Sequence, residues 1–290
     1  MDATLFPGDA EPLTLTTADG TRIGATRFEA LGEYRGTIIV AGATGVPQAF
    51  YRRFAEHARG RGFTVMTFDY RGIGRSRPPS LKGFRMDFLD WARQDLAAAV
   101  EAMAEEGRPL FLVGHSFGGH AFGLLPNHHR IARFYTFGVG AGWHGWMPRV
   151  ESLRVRLMWN VVLPVLNAWK GYSPWAMLRM GEDLPLDVFR QWRRWCRFPR
   201  YFFDDPALPR LADQYATVRT PITAANALDD QWALPRSRDA FVWAYRNAPL
   251  TRVDIDPSPW RGGLGHMGYF RPKAHALWDG VLDWFLSPAL

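Results

Sequence analysis

Five residues near the middle of the chain, Gly114-His115-Ser116-Phe117-Gly118, place a hydroxyl between two glycines in the pattern G-x-S-x-G. A serine hydroxyl is a poor nucleophile until an imidazole takes its proton and a carboxylate orients that imidazole. The pattern follows a short apolar run, Pro109-Leu110-Phe111-Leu112-Val113, and precedes a helical stretch from Gly119 to Leu125. That context is strand, sharp turn, helix, and it would hold Ser116 in a strained conformation with its hydroxyl exposed above the sheet edge. Glycine is expected at 114 and 118 because a side chain there would collide with the neighbouring strand or helix. Amides at the helix N-terminus favour negative charge beside the serine. The plainer reading is an ordinary strand-to-helix turn with a capping serine.

The partners of such a serine belong beyond the C-terminal ends of later strands, where open α/β sheets bind ligands. Asp229-Asp230 follows an expected strand, Thr220–Leu228. Asp230 is preferred as the acid because two residues and then the small apolar Ala233 follow it; Asp229 is the alternative, and the pair could simply cap a helix. Gly262-Gly263-Leu264-Gly265-His266-Met267-Gly268 puts His266 in a glycine-flanked loop, free to reach across a cleft. Of the other histidines, His115 is read as pointing away on the turn and His120 as lying on the helix that follows. His128 and His129 lie at that helix's far end, His57 and His275 belong to other helices, and His144 is the remaining rival. An oxyanion formed on attack needs two N–H donors. The Phe117 amide is expected to be one. Ala43 is the choice for the other, with Thr44 second, from the loop that follows the apolar run ending at Ala41.

These groups need a scaffold. Leu13–Thr17 and Thr21–Phe28 alternate apolar with polar around Asp19-Gly20, the pattern of a hairpin. Gly36–Ala41 and Phe63–Phe68 are continuous apolar runs that suit strands buried on both faces. Helical spacing covers 47–61 and 87–105, and Ile131–Gly138 reads as a further strand. Strands alternating with helices from 36 to about 140 argue for a mostly parallel sheet with helices on both faces. The rhythm breaks at 142–215, which holds seven of the thirteen tryptophans and is cut by prolines into short helices. It resumes with the 220–228 strand, a helix at 236–247, a strand at Leu250–Ile255 and a terminal helix at 272–286. The expected organisation is a core over 1–141, a helical insertion over 142–215 and the rest of the core over 216–290.

A hydrophobic share of 47% with 22% charged residues over 290 positions suits a soluble chain with a sizeable core. Net charge is +7, but the arginines are scattered among acids and no nucleic-acid-binding motif accompanies them, so no nucleic acid partner is expected. Cys196 is the only cysteine, which rules out a disulfide within the chain and suits a reducing compartment. Residues 1–11 have neither a basic start nor an apolar core, so no signal peptide and a cytoplasmic location are expected. No uncharged apolar run reaches the roughly 18 residues of a spanning helix, so no integral membrane segment is expected.

With Val40-Ala-Gly-Ala-Thr-Gly45, Asp69-Tyr-Arg-Gly-Ile-Gly-Arg-Ser76, Gly114-His-Ser-Phe-Gly-Gly119, Asp229-Asp230 and Gly265-His266 in view, the sequence resembles the α/β-hydrolase superfamily over nearly its whole length. It looks most like a bacterial branch of the serine aminopeptidase type. Ser116, Asp230 and His266 occur in the chain order known for that superfamily. The resemblance implies an α/β-hydrolase fold, a Ser-Asp-His triad, no metal or organic cofactor, and an insertion that acts as a lid. It departs from many relatives in having Ala41-Gly42 where they carry His-Gly before the oxyanion residue. A serine nucleophile disfavours dehalogenase or epoxide hydrolase chemistry, for which the superfamily uses aspartate. The expected activity is hydrolysis of carboxylic esters with small to medium apolar acyl groups. Acyl transfer, amide or peptide cleavage, and slow-turnover ligand reception are the alternatives. The expected partner is a small-molecule ester or amide, and no oligomeric state is implied.

Overall fold

The computed structural model describes residues 10–288. Most of the 1–11 stretch on which the signal-peptide reading rests lies outside the described residues. Eight strands form one sheet: β1 (Glu11–Thr16), β2 (Arg22–Phe28), β3 (Gly36–Ala41), β4 (Phe63–Phe68), β5 (Leu110–His115), β6 (Arg133–Phe137), β7 (Ile222–Ala227) and β8 (Leu250–Ile255). Their order is β1-β2-β4-β3-β5-β6-β7-β8. β2 runs antiparallel to both β1 and β4, and every pair from β4 through β8 is parallel. The polar alternation of β1 matches its place at the edge, where only one face is covered. β3, β4, β5 and β7 are buried along their whole length, which is why they read as unbroken apolar or small-residue runs.

The side-chain period of two divides these strands between two cores. Ile38, Val40, Phe111 and Val113 face a layer built by α1 (Arg52–Gly60) and, at the far end of the chain, a helix over His275–Leu286. Ile39, Ala41, Leu110 and Leu112 face the opposite layer. That layer contains α2 (Ala97–Met103), which a π-helical turn over Trp91–Leu96 introduces, and the short α3 (Phe117–Ala121). Between β6 and β7 the chain forms α4 (Arg149–Leu157), a π-helical turn (Met158–Val162), α5 (Leu163–Lys170), α6 (Leu186–Trp195) and α7 (Leu211–Tyr215). α8 (Pro235–Val242) follows β7, and the terminal helix is α9.

The connections place the site. From β3 the chain passes to β4 on one side, then returns so that β5 pairs with the other side of β3. The connections therefore diverge at the C-terminal ends of β3 and β5, which is where an open parallel sheet leaves a crevice. Ser116 follows β5 directly, and Ala43 and Thr44 follow β3.

Candidate active site

Ser116 has φ 52° and ψ −108°, a backbone conformation that an L residue rarely adopts. The two glycines of the motif make that turn possible. A Cβ at Gly114 would press on the Gly118 carbonyl, and one at Gly118 would overlap the Ala41 carbonyl oxygen. α3 can thus approach β5 at Gly114 and β3 at Gly118 only without side chains at these two positions. The Gly118 amide donates to the Gly42 carbonyl at 3.1 Å, binding the head of α3 to the loop after β3.

His266 Nε2 lies 3.0 Å from Ser116 Oγ, and its Nδ1 lies 2.9 Å and 3.0 Å from the two carboxylate oxygens of Asp230. Asp230 is fully buried. It also accepts from the Tyr269 hydroxyl at 2.8 Å and from the amides of Trp232 and Ala233 at 3.1 Å each. Burial works to raise the Asp230 pKa, but the adjacent imidazole and these donors outweigh it and hold the carboxyl below its usual range. Burial likewise works to lower the pKa of His266, and the Asp230 carboxylate outweighs it, so the imidazole sits above its usual value. A proton on Nδ1 facing Asp230 leaves the Nε2 lone pair facing the serine. Asp229, the alternative acid, points elsewhere: it accepts from the amides of Leu264 and Gly265 at 2.8 and 3.1 Å. It fixes the loop that carries the histidine, one residue ahead of the ring.

Three of the other histidines lie outside the Ser116–His266–Asp230 series. His57 pairs with Asp279 at 2.9 Å on the α1–α9 face. His120 donates from Nε2 to the Gly140 carbonyl, and burial lowers its pKa to about 4. His144 lies tilted beside Trp143, with ring centres 5.5 Å apart, and has no hydrogen bond to Ser116 or to an aspartate among the described residues.

One reading of a single residue needs correction. His115 does not lie on the turn; it is the last residue of β5 and is fully buried. Its Nε2 donates to the backbone carbonyl of His266 at 2.8 Å, and its Nδ1 accepts from the Tyr51 hydroxyl at 3.0 Å. Burial and the nearby His266 lower its pKa to about 3, so it stays neutral and can hold one proton on Nε2. Tyr51 Oη in turn accepts from the Ala43 amide at 2.7 Å. The N–H chosen as second oxyanion donor is therefore already engaged. The Thr44 and Phe117 amides have no hydrogen-bond partner among the described residues. For Phe117 the cause is its place as the first residue of α3, where helical amides lack a partner.

A cavity of about 230 Å³ opens over Ser116 and His266. Ala43, Thr44, Trp175, Met180, Trp192 and Trp232 are among its lining. Trp175 and Trp192 stack with ring centres 5.1 Å apart, and Trp159 packs edge-on against Trp192. Trp175 and Trp192 thus serve the core and the cavity wall together.

A family model described as the alpha/beta hydrolase family matches residues 38–278. The chain belongs to the α/β hydrolase family. No curated protein is detectably similar to it in sequence. Among solved structures, a soluble variant of the Saccharomyces cerevisiae monoglyceride lipase is 17% identical, with 98% of each chain covered and a TM-score of 0.65. An esterase domain from a Rhodothermus marinus protein is 17% identical, covering 95% of this chain and 97% of that one, with a TM-score of 0.57. A Pyrococcus furiosus esterase is 13% identical, covering 99% and 96%, with a TM-score of 0.59. At these identities the likeness is one of fold. The eight-stranded, mostly parallel sheet is the α/β hydrolase architecture, and membership of that family supports hydrolase activity.

Proposed function

We propose that this α/β hydrolase is a serine hydrolase acting on carboxylic esters with small to medium apolar acyl groups. The observation that carries the reading is the unbroken series Ser116 Oγ, His266, Asp230, with hydrogen-bond distances of 3.0 and 2.9 Å. In this mechanism His266 Nε2 takes the hydroxyl proton as Ser116 Oγ attacks the ester carbonyl. The resulting imidazolium is stabilised by Asp230, whose burial keeps water from weakening the interaction. The carbonyl oxygen, now negative, accepts from the Phe117 and Thr44 amides. His266 returns the proton to the departing alcohol, leaving an acyl group on Ser116, and then activates the water that releases it. The helical segment over 142–215 acts as a lid, and its Trp175 and Trp192 give the acyl chain an apolar wall.

Labelling by a fluorophosphonate probe tests the reading, since only an activated serine is phosphonylated. Wild-type protein should be labelled and should hydrolyse p-nitrophenyl esters, with a preference for short and medium chains over a matched amide. Ser116→Ala should lose both labelling and turnover while keeping its circular dichroism. Labelling that persists in Ser116→Ala would remove this serine from the chemistry.

A further inference from the structure

One face of the segment between β6 and β7 is not used by the catalytic reading. Along α4, the following π turn and α5, Val150, Leu153, Leu157, Val161, Val165 and Trp169 recur at spacings of three or four. Each is more than half exposed, and together they are six of the ten large exposed hydrophobic residues among the described residues. The inward face of the same helices is already packed, through Val155, Trp159 and Leu163. The outward stripe is therefore a second apolar face, with nothing left in the core for it to cover. A helix apolar on both sides is normally surrounded by protein or lies against lipid.

Charge narrows the choice. From Ser152 to Gly181 the chain has no aspartate or glutamate, yet it carries Arg154, Arg156, Lys170 and Arg179. Arg154 and Arg156 are exposed beside the stripe, and the Lys170 ammonium sits 4.0 Å from the centre of the Trp169 ring. One acid, Glu151 at the start of α4, lies 3.4 Å from an Arg154 nitrogen. A two-fold contact with a second copy would bring like charges together on both sides of the interface. An anionic bilayer surface answers both features, since it offers a phase for the apolar side chains and negative headgroups for the cations.

We propose that this face docks on an anionic bilayer surface, with α4 and α5 lying in the plane of the headgroups. The apolar stripe is immersed at the acyl boundary and the flanking arginines and lysine meet lipid phosphate. The chain then runs from α5 directly into Trp175–Met180, which contributes to the wall of the cavity over Ser116. Docking thus brings the rim of that cavity to the surface. The proposal concerns binding and stands apart from the chemistry assigned to Ser116.

Co-sedimentation of the full chain with vesicles tests it. Wild type should pellet with vesicles of phosphatidylcholine and phosphatidylglycerol in equal amounts, stay in solution with phosphatidylcholine alone, and be released by high salt. Leu157→Glu/Val165→Glu, which alters only exposed side chains, should weaken binding by about tenfold or more. Arg154→Gln/Arg156→Gln should weaken it by about tenfold or more, with a shallower salt dependence. Leu31→Glu, an exposed position outside this segment, should bind as wild type does. Circular dichroism checks that each variant is folded. Wild type that never pellets, equal binding to neutral vesicles, or wild-type binding by Leu157→Glu/Val165→Glu would each overturn the proposal. So would a dimer in gel filtration that the same double variant dissociates without any vesicle binding, which would identify the stripe as a contact between copies.

Discussion

Replacing Tyr51 with phenylalanine removes a single oxygen from the interior. The ring would keep its edge-on contacts with Phe50, His115 and Phe270, so no large cavity opens. What is lost is a partner for two groups at once: the Ala43 amide, 2.7 Å away, and His115 Nδ1, 3.0 Å away. Both residues are buried, and no other polar group pairs with those two atoms among the described residues. An unpaired donor or acceptor in dry surroundings costs about 1–3 kcal/mol, so the two together predict a loss of about 2–6 kcal/mol. Urea unfolding followed by tryptophan fluorescence measures it. Tyr34→Phe is the control, because the Tyr34 hydroxyl meets Thr37 in a partly solvated setting and its loss should cost about 1 kcal/mol or less. Catalysis should suffer too, since the same hydroxyl connects the loop after β3 to the loop of His266. Turnover should fall by about tenfold, equivalent to about 1.4 kcal/mol of barrier, with less change in KM. A double-mutant cycle with His115→Gln should show coupling, as both changes break one series of bonds. If Tyr51→Phe destabilises no more than Tyr34→Phe, the argument from buried partners is wrong.

Three further outcomes follow from the site and its supports. Because His266 must be neutral to accept a proton, kcat/KM should fall as pH drops through a midpoint above 6.5. In Asp230→Asn burial acts alone, and the midpoint should move below 6.5; an unmoved midpoint in the pH profile would refute the charge coupling. Asp230→Asn should lower kcat by about 10⁴-fold through the wrong tautomer. Asp229→Ala, which only frees two amides of the histidine loop, should cost about 10²-fold, and steady-state kinetics showing the reverse order would exchange their roles. Gly118→Ala should destabilise by about 3 kcal/mol or more because two stretches of backbone would have to part. Gly280→Ala, on the exposed side of α9 with open space around it, should stabilise by about 1 kcal/mol in thermal unfolding.

The parts of the fold that were legible in the sequence are those where local pattern and tertiary setting agree. β3, β4 and β8 occupy the expected residues because each is bounded by turn-forming residues. β5 was cut short at Val113, since Gly114 and His115 look like turn rather than strand, and the sheet nevertheless pairs them with Thr136 and Phe137. The expected helix over 87–105 starts at Trp91 with a π turn that side-chain periodicity does not encode. Nearness in space explains the rest. The serine, acid and histidine could be sought separately, each at a strand end. The engagement of the Ala43 amide could not, because it depends on a tyrosine eight residues later folding back from the start of α1. Alternation along β5 gives a signal for His115: it lies two residues after Val113 and so shares its face, the one that α1 and α9 cover.

β5 does more than present the nucleophile. Ser116 is covalently continuous with the strand, and the preceding residue grips the main chain of His266. The same histidine loop is held from the other side by Asp229 and Asp230 at the end of β7, so the register between β5 and β7 sets the distance over which the proton moves.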